Sequence, residues 1–387
     1  MKQPRILSNP DLTVGVDNKQ RWNQPQHRRH GFHNAHRLFR RTFMVRARSV
    51  LMLEPAPQDL IVQVPGLAGI MAHPAFSAIC CLRGDQILLE AAAPDFSVTA
   101  AHSIQSVSKL HIHIIIGRLL DQGLLAMDAC VADYLPGIGS GYAQATIQSL
   151  LDMAVSNDFS EDYSDPNSDC YSEEIALGWR LPDPGVDEIS LADFTAAITG
   201  FRPVTDRTEI AYKSANTDVL TLIAAKVSPI PLTRHIEDIA DAVGYEGAFH
   251  ISLSTEGHPA FSGGGCLSAR DLARFGLLFA RQGRDIFDVP FGNARFLEHS
   301  LTRPAPALTP PKQWLRYSNH LMTDGRFVGH AGYGGQFLMV DMATQTACAF
   351  LSVLENDAGY DDAYMATLST VLKQVCSDGS DDGAPLV

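Results

Sequence analysis

The stretch Ser106-Val107-Ser108-Lys109 stands directly before an apolar run that continues to Leu120 and stops at Gly123. This run predicts a mostly buried helix that ends at Gly123. A serine in the first turn of such a helix lies near the positive end of the helix dipole, and a lysine three residues later shares its face. Ser106 therefore has the surroundings of a nucleophile, with Lys109 as its proton acceptor. Alone, the Ser-x-x-Lys pattern is short enough to occur by chance.

The bulk composition is ordinary for a globular protein. The chain has 387 residues, 45% hydrophobic and 19% charged, and its mean hydropathy is near zero. No apolar stretch reaches the about 18 residues of a membrane helix. Met1 to Pro4 is not followed by the apolar segment of a secretory signal. Because the net charge is −13, nucleic-acid binding is disfavoured. We expect a cytoplasmic protein that binds neither membranes nor nucleic acid.

Cysteine and histidine patterns bear on metal binding. The seven cysteines, an odd set without a Cys-x-x-Cys pair, are Cys80, Cys81, Cys130, Cys170, Cys266, Cys348 and Cys376. They predict thiols buried in a reducing compartment, and neither disulfides nor zinc. In the basic segment 27–37, His33 and His36 have no Cys or carboxylate beside them, so a surface helix packed on the protein body is favoured over a metal or nucleic-acid site. We expect no cofactor.

Patterns of period two predict two β-hairpins. The first joins residues 76–82 to 87–91, and the second joins residues 336–341 to 346–354. A helix at about residues 360–375 and a disordered acidic tail at 377–384 follow. Strands near both ends and helical patterns between them indicate an α+β fold with one antiparallel sheet built from both ends of the chain.

The middle of the chain is mainly helical in pattern. The segments with helical periodicity lie near residues 143–153, 191–199, 215–227, 232–243 and 268–282. We expect a discontinuous sheet domain (40–104 and 315–387), an inserted, mainly helical lobe (105–314) and an N-terminal extension (1–39). Gly263 to Gly265 precede the last helix. Because no lysine follows them in the phosphate-loop position, they predict a tight turn where backbones approach closely.

Two further stretches accompany Ser106. Tyr212-Lys213-Ser214 leads into a helix, and nearby lysines would lower the pKa of the Tyr212 phenol enough for proton exchange. Gly329-His330-Ala331-Gly332-Tyr333 is a glycine-rich approach to a strand, along which a substrate could lie while a backbone N–H faces the nucleophile. Each stretch also has an interpretation without a catalytic role. Tyr212 would then only cap a hydrophobic core, and His330 would lie in a hairpin corner with its hydrogen bonds satisfied.

In this order, the three stretches resemble the motifs Ser-x-x-Lys, Tyr-x-Asn (or Tyr-x-Ser) and Lys/His-x-Gly of the serine β-lactamase and penicillin-binding-protein superfamily, specifically its class C-like branch. The resemblance covers most of the chain from about residue 75 onward. It implies a β-lactamase/transpeptidase-like fold and a Ser106 nucleophile assisted by Lys109 and Tyr212. It also implies an oxyanion site at the backbone N–H groups of Ser106 and Tyr333, with His330 steadying Tyr212 electrostatically.

Within this superfamily the chain most resembles the 6-aminohexanoate-dimer hydrolases and their carboxylesterase relatives. The residues that carry this resemblance are Tyr212-x-Ser214, Glu161-Asp162-Tyr163 and His330-Ala331-Gly332. It implies that Tyr163 lies near the leaving amide and that Glu173 or Glu174 holds a substrate ammonium. Ser214 takes the place of an asparagine that contacts the β-lactam side chain.

Three departures from β-lactamases concern the substrate. His330, mostly neutral at pH 7, stands where a lysine normally helps hold the penicillin carboxylate. Ser214 replaces asparagine, and the acidic loop 158–174 favours a cationic end of the substrate. We therefore expect a serine hydrolase acting on linear amides or esters. The alternatives are a β-lactamase or D-Ala-D-Ala peptidase, and a non-catalytic binding relative. We also expect a homodimer, because homodimers are the most common oligomers of soluble proteins.

Overall fold

The structure, a computed structural model, describes residues 22–377 apart from 164, 166, 181, 183, 184 and 204–209. The predicted tail at 377–384 lies outside the described residues except for Ser377, and so do residues 1–21 of the N-terminal extension. In the described part of the chain, no helix is long and apolar enough to cross a membrane.

The described strands form an eight-stranded sheet, a four-stranded sheet and a two-stranded ribbon. They are β1 (Thr42–Arg46), β2 (Glu54–Pro55), β3 (Phe76–Arg83), β4 (Gln86–Ala92), β5 (His102–Ser103), β6 (Val155–Ser156), β7 (Arg202–Pro203), β8 (Ala248–Ser252), β9 (Gly265–Leu267), β10 (Arg316–Ser318), β11 (Leu321–Thr323), β12 (Phe327–Gly332), β13 (Gln336–Asp341) and β14 (Thr346–Ser352). The large sheet has the order β10-β11-β12-β13-β14-β3-β4-β2, and the smaller one β1-β8-β9-β5.

The described helices surround these sheets. They are α1 (Pro25–Leu38), α2 (Leu60–Gln63), α3 (Leu67–Ala72), α4 (Lys109–Asp121), α5 (Val131–Tyr134), α6 (Ile147–Leu151), α7 (Cys170–Ala176), α8 (Leu191–Ala197), α9 (Ser214–Val227), α10 (Leu232–Val243), α11 (Ala269–Ala280), α12 (Ala294–Thr302) and α13 (Asp362–Cys376). A short 3₁₀ turn, Gln105–Ser108, directly precedes α4. The helix predicted at 143–153 is shortened to α6, whereas α8 to α11, α13 and the N-terminal helix α1 lie close to their predicted positions.

Both predicted hairpins are present, and they share one sheet. β3 pairs with β4 and β13 pairs with β14, each antiparallel. β14 also pairs with β3, with Cys348 opposite Cys81, so strands from both ends of the chain are neighbours. The large sheet is antiparallel except for the short β2–β4 pair. This arrangement confirms the predicted α+β fold.

Helices cover both faces of the large sheet. Alternate residues of β3 and β14 enter two separate clusters: Cys80 and Ala349 pack in the cluster that contains Leu272 of α11. Cys81 and Phe350 pack in the cluster of the C-terminal helix α13. Because both faces are buried, these strands are nearly continuous apolar runs instead of alternating ones.

Helix α11 lies in the segment assigned to the helical lobe, yet it packs on the large sheet. Gly276 allows this approach, because a Cβ at that position would lie 2.8 Å from the Cβ of Ala347. The strands β8 and β9 also fall in that segment. The division into a sheet domain and an inserted lobe stays a prediction, and α11 shows that the segment 105–314 also contributes to the covering of the sheet.

Candidate active site

Ser106 lies in the 3₁₀ turn that directly precedes α4. It is therefore just outside the α-helix, which begins at Lys109. The preceding residue, Gln105, has φ +48°, a left-handed conformation that costs a non-glycine residue about 1 kcal/mol. Its side chain donates a hydrogen bond of 2.7 Å to the Oγ of Ser103. This backbone conformation leaves Ser106 on the wall of a pocket, while Val107 and Ser108 are buried.

Lys109 is completely buried beside Ser106. Its Nζ donates to the Oγ of Ser106 over 3.0 Å, to the Oγ of Ser214 over 3.1 Å and to the backbone oxygen of Ser262. Three acceptors from three different segments therefore hold the amine, which restricts it to one position. The Ser-x-x-Lys spacing brings the two side chains together as predicted.

Glycines bring two other strands against this turn. A Cβ on Gly265 would lie 2.6 Å from the Oγ of Ser108, and the N–H of Gly265 donates to that atom over 3.0 Å. A Cβ on Gly332 would lie 2.8 Å from the backbone oxygen of Ile104. The close backbone approach predicted for the Gly263–Gly265 stretch is confirmed, and it occurs at the serine turn.

Tyr212 lines the same pocket, and the Nζ of Lys109 lies 5.1 Å from its ring centroid. Burial raises the pKa of the Tyr212 phenol, although the charge of Lys109 acts in the opposite direction. The expectation of a lowered pKa is therefore wrong. Lys213 gives no help, because its Nζ is turned to the backbone oxygens of Asn157 and Phe159.

Ser214 belongs to the network around Lys109. Its Oγ accepts from Lys109 and donates to the Oε1 of Glu161 over 2.7 Å, and its backbone N–H donates to the Oε2 of Glu161 over 2.6 Å. It is not among the residues that line the pocket. Ser214 thus contacts Lys109 and Glu161 in this structure, where the resemblance had implied contact with substrate.

Glu161 is a pocket residue that the sequence reasoning did not select. It sits two positions before Tyr163, whose Oη donates to the Oε1 of Glu161 over 2.9 Å. The acidic loop had no periodic pattern to indicate which carboxylate points inward. The only available signal was its place in the stretch Glu161-Asp162-Tyr163 beside the selected tyrosine.

Glu173 and Glu174 are not on the pocket wall, contrary to their predicted contact with substrate. Both are buried in or near α7. Glu174 forms an ion pair with Arg180 at 3.4 Å. Burial, followed by the charge of Asp218, raises the pKa of Glu173 well above its usual value. Because α7 turns both carboxyls inward, neither faces a ligand in the pocket.

Tyr163 and Tyr333 both line the pocket, and their ring centroids lie 5.4 Å apart. Tyr333 rests on the N-terminal helix: its ring lies 6.2 Å from that of Phe32 and 5.5 Å from the guanidinium carbon of Arg28. In the described part of the chain, the backbone N–H groups of Tyr333 and Ser106 donate to no acceptor. Both N–H groups are therefore available to a ligand oxygen.

His330 is completely buried one strand position from the pocket. Its Nε2 lies 2.9 Å from the Oη of Tyr317 and its Nδ1 lies 2.6 Å from the backbone oxygen of Ala331. Burial lowers the pKa of His330 well below its usual value, so the ring is neutral at pH 7, as expected. Its ring centroid is 6.3 Å from that of Tyr212, with no hydrogen bond between them, and Tyr317 contacts both rings.

The pocket has a volume of about 460 Å³. Its described lining residues are Ser106, Glu161, Tyr163, Ile210, Tyr212, Leu308, Thr309, Lys312, Met322, Ala331, Gly332, Tyr333, Tyr360 and Met365. No cluster of side chains able to hold a metal ion occurs among the described residues. A hydroxyl next to a buried amine, with two open N–H groups nearby, has the parts needed for attack on a carbonyl carbon.

This fold and this serine–lysine–tyrosine site define a serine hydrolase that works through an acyl-enzyme. The sequence profile of the beta-lactamase family matches residues 63–370, which is most of the chain. The chain belongs to the beta-lactamase family.

The proteins to which this chain is similar include named hydrolases. The chain is 27% identical over 362 residues to the 6-aminohexanoate-dimer hydrolase of Paenarthrobacter ureafaciens, covering 89% of this chain and 90% of that protein. A Bacillus anthracis protein assigned as a 6-aminohexanoate-dimer hydrolase shares the fold with a TM-score of 0.80 at 17% identity, over 95% of this chain and 98% of that one. A D-stereospecific amidohydrolase from Streptomyces sp. has a TM-score of 0.58 at 17% identity, over 84% of this chain and 100% of that one.

Proposed function

We propose that this serine hydrolase cleaves linear amides or esters, as an amidase or carboxylesterase similar to the 6-aminohexanoate-dimer hydrolases. The observation that carries the proposal is the 3.0 Å hydrogen bond between Lys109 Nζ and Ser106 Oγ on the wall of an open pocket. Lys109 is buried and held by two other acceptors, so the pair is positioned before substrate arrives.

In the proposed reaction, Ser106 Oγ forms a bond to the substrate's carbonyl carbon. Its proton passes to the amine of Lys109, and Tyr212 or Tyr163 delivers its own phenolic proton to the leaving nitrogen or oxygen as the C–N or C–O bond breaks. The proton held by Lys109 then restores the phenol. A water molecule then attacks the acyl-enzyme and restores Ser106. The raised pKa of Tyr212 suits a group that is protonated at rest and donates to a basic leaving group.

The negative charge that develops on the carbonyl oxygen needs donors. We propose the backbone N–H groups of Ser106 and Tyr333, each worth about 3–4 kcal/mol in comparable sites. His330 touches no substrate in this scheme. It positions Tyr212 through Tyr317, which donates to His330 and packs edge-on against the Tyr212 ring at 5.8 Å.

The acid on the described pocket wall is Glu161, and we propose that it has the ammonium-binding role that the resemblance implied for Glu173 or Glu174. Among the described residues, its carboxylate accepts hydrogen bonds only from the neutral donors of Tyr163 and Ser214 and forms no ion pair, so we propose that it pairs with a substrate ammonium. The P. ureafaciens relative is named for an amide dimer, and we propose linear amides or esters with a cationic end for this chain.

The test is a panel of p-nitrophenyl butyrate, 6-aminohexanoate dimer and nitrocefin, together with mass spectrometry after labelling with an activated phosphonate. We expect a single adduct on Ser106 and faster turnover of the linear substrates than of nitrocefin. Ser106→Ala should lose both adduct and activity, while Ser172→Ala, an exposed serine on α7, should keep them. Retention of activity in Ser106→Ala would overturn the mechanism, and faster nitrocefin turnover would identify a β-lactamase.

We further propose that the enzyme works in the cytoplasm as a homodimer. The seven cysteines are all free, and all but Cys130 are buried, which suits a reducing compartment. Cell fractionation and light scattering of the purified protein test location and assembly separately.

A further inference from the structure

A second group of pocket residues lies in a turn far along the chain from Ser106. Leu308, Thr309 and Lys312 line the pocket together with Tyr360. The backbone N–H of Lys312 donates to Thr309 over 3.1 Å, and the N–H of Leu308 donates to Leu315 over 2.9 Å, which closes the turn. We call Leu308, Thr309, Lys312 and Tyr360 the Lys312 cluster.

The ammonium of Lys312 has little to neutralise it. Its Nζ donates to the Oη of Tyr360 and lies 5.0 Å from the centroid of that ring. Among the described residues no carboxylate forms an ion pair with it, and Asp362 acts only at longer range. Burial lowers the pKa of Lys312, which reflects the cost of keeping this charge partly out of water. An ammonium has three donors, so at least one remains for a ligand.

The position of this charge matters because His330 supplies none. His330 is neutral, buried and occupied at both ring nitrogens. The charge of Lys312 is one of the causes that lower the pKa of His330, so the two side chains are within electrostatic range. The third motif has the neutral His330 where β-lactamases have a lysine. Lys312, which comes from a different segment, places a positive charge in the same pocket.

We propose that Lys312, tethered by Tyr360, binds a carboxylate of the substrate and selects linear amides or esters that carry one. Glu161 lies on the wall of the same pocket, so a substrate with a carboxylate at one end and an ammonium at the other would find a partner for each charge. This inference rests on the proposed function, because it names the substrate class of the Ser106 site.

The first experiment compares two esters with acyl groups of equal length. The mono-p-nitrophenyl ester of glutaric acid carries a carboxylate, and p-nitrophenyl valerate does not. The wild type should prefer the charged ester, and Lys312→Met should reduce the ratio of the two kcat/KM values by about 10- to 100-fold, mainly through KM. Tyr360→Phe should reduce it less. The neutral ester serves as the internal reference for folding and for the chemical step.

Lys226→Met is the matched control. Lys226 is exposed in the last turn of α9, whose first residue, Ser214, contacts Lys109. Twelve residues of helix separate the two positions, which is about 18 Å. This variant loses the same charge far from the pocket and should keep the wild-type ratio.

A second pair of esters places the carboxylate on the leaving group: 4-acetoxybenzoate against phenyl acetate. A ratio that falls in Lys312→Met for either pair supports the proposal and tells which part of the substrate carries the carboxylate. Ratios that stay at wild-type values for both pairs overturn it.

Binding of glutarate separates this inference from the proposed function. Isothermal titration needs no turnover and can be made on Ser106→Ala. Weaker glutarate binding in Lys312→Met than in Lys226→Met supports the carboxylate site, even if no ester is cleaved. Equal binding in the two variants overturns it, even if Ser106 is labelled and active.

Discussion

The hydroxyl of Ser214 donates a hydrogen bond of 2.7 Å to the Oε1 of Glu161. The same hydroxyl accepts from the Nζ of Lys109 over 3.1 Å. Ser214 therefore connects the amine of Lys109 to the carboxylate on the pocket wall through two hydrogen bonds. A position expected to contact substrate is instead part of the support of Lys109.

Ser214→Ala should lower kcat about 10- to 100-fold and leave KM for a neutral ester nearly unchanged. The change removes an acceptor of Lys109 and a donor to Glu161, which loosens the amine beside Ser106. Steady-state kinetics with p-nitrophenyl butyrate measure it, and the pH profile of kcat should shift as well. Ser149→Ala is the control, because the hydroxyl of Ser149 donates to the backbone oxygen of Thr146. An unchanged kcat and pH profile would show that the hydrogen bonds of Ser214 to Lys109 and Glu161 do not contribute to catalysis.

His330→Lys restores the residue that β-lactamases carry at the third motif, and we expect it to destabilise the protein without adding nitrocefin hydrolysis. Position 330 is completely buried, and its described hydrogen-bond partners are the uncharged Tyr317 hydroxyl and Ala331 carbonyl, so a lysine there would place a cation in the core without a counter-ion. The expected loss in the free energy of unfolding is about 3 kcal/mol or more. Urea denaturation measures it, with His299→Lys as the control, because His299 is an exposed residue of α12. A stable variant that hydrolyses nitrocefin would contradict this account.

The sequence predicted the parts of this structure that short-range patterns encode. Both hairpins lie where they were predicted, although β3 and β14 are continuous apolar runs bounded by turn residues and do not alternate. The Ser-x-x-Lys spacing placed Ser106 and Lys109 in contact because three residues along one helical turn bring side chains together. These features depend on local geometry alone. The fold followed from them together with the resemblance to a known superfamily.

The pocket charges were not predictable in this way. Seven acidic residues between 158 and 174 have no periodicity. Glu173 is buried because it belongs to α7, whereas Glu161 is held at the pocket by hydrogen bonds from Tyr163 and Ser214, and neither arrangement is visible in the sequence. Lys312 lies in a turn without any pattern, and only the tertiary fold brings this turn to the pocket that contains Ser106. The pKa of Tyr212 was predicted wrongly for a related reason. The sequence shows that lysines are near this tyrosine, but it does not show that the phenol is buried.

Gly265→Ala should reduce both stability and activity. The added Cβ would lie 2.6 Å from Ser108 Oγ and 3.1 Å from Phe249, so either β9 or the serine turn must move. We expect a loss of about 1–3 kcal/mol in unfolding free energy and a fall in kcat of about 10- to 100-fold. Gly69→Ala, where no atom lies within 4 Å of the new Cβ, is the control. Thermal denaturation and ester hydrolysis measure the two effects. Wild-type values for both would contradict the close contact between Gly265 and the Oγ of Ser108.

A buried acid pair lies near Lys109 and distinguishes this site from a simple serine–lysine pair. Asp218 on α9 is fully buried and Glu173 on α7 is nearly so. Burial raises the pKa of Asp218 from 3.8 to about 6, whereas Glu173, Ser262 and Lys109 act in the opposite direction. The folded protein therefore keeps a proton on Asp218 in a pH range where the unfolded chain has released it.

Asp218→Asn should make stability less dependent on pH. A raised pKa gives stability that is fully present below pH 3.8 and is lost as the pH rises through about 6, by at most about 1.4 kcal/mol per pH unit for one proton. Asparagine has the same shape and cannot ionise, so the decline in unfolding free energy between pH 4.5 and 6.5 should be shallower in the variant. Urea denaturation across this range measures it, with the exposed Asp121→Asn as control. Equal slopes in wild type and Asp218→Asn would mean that Asp218 does not hold the proton.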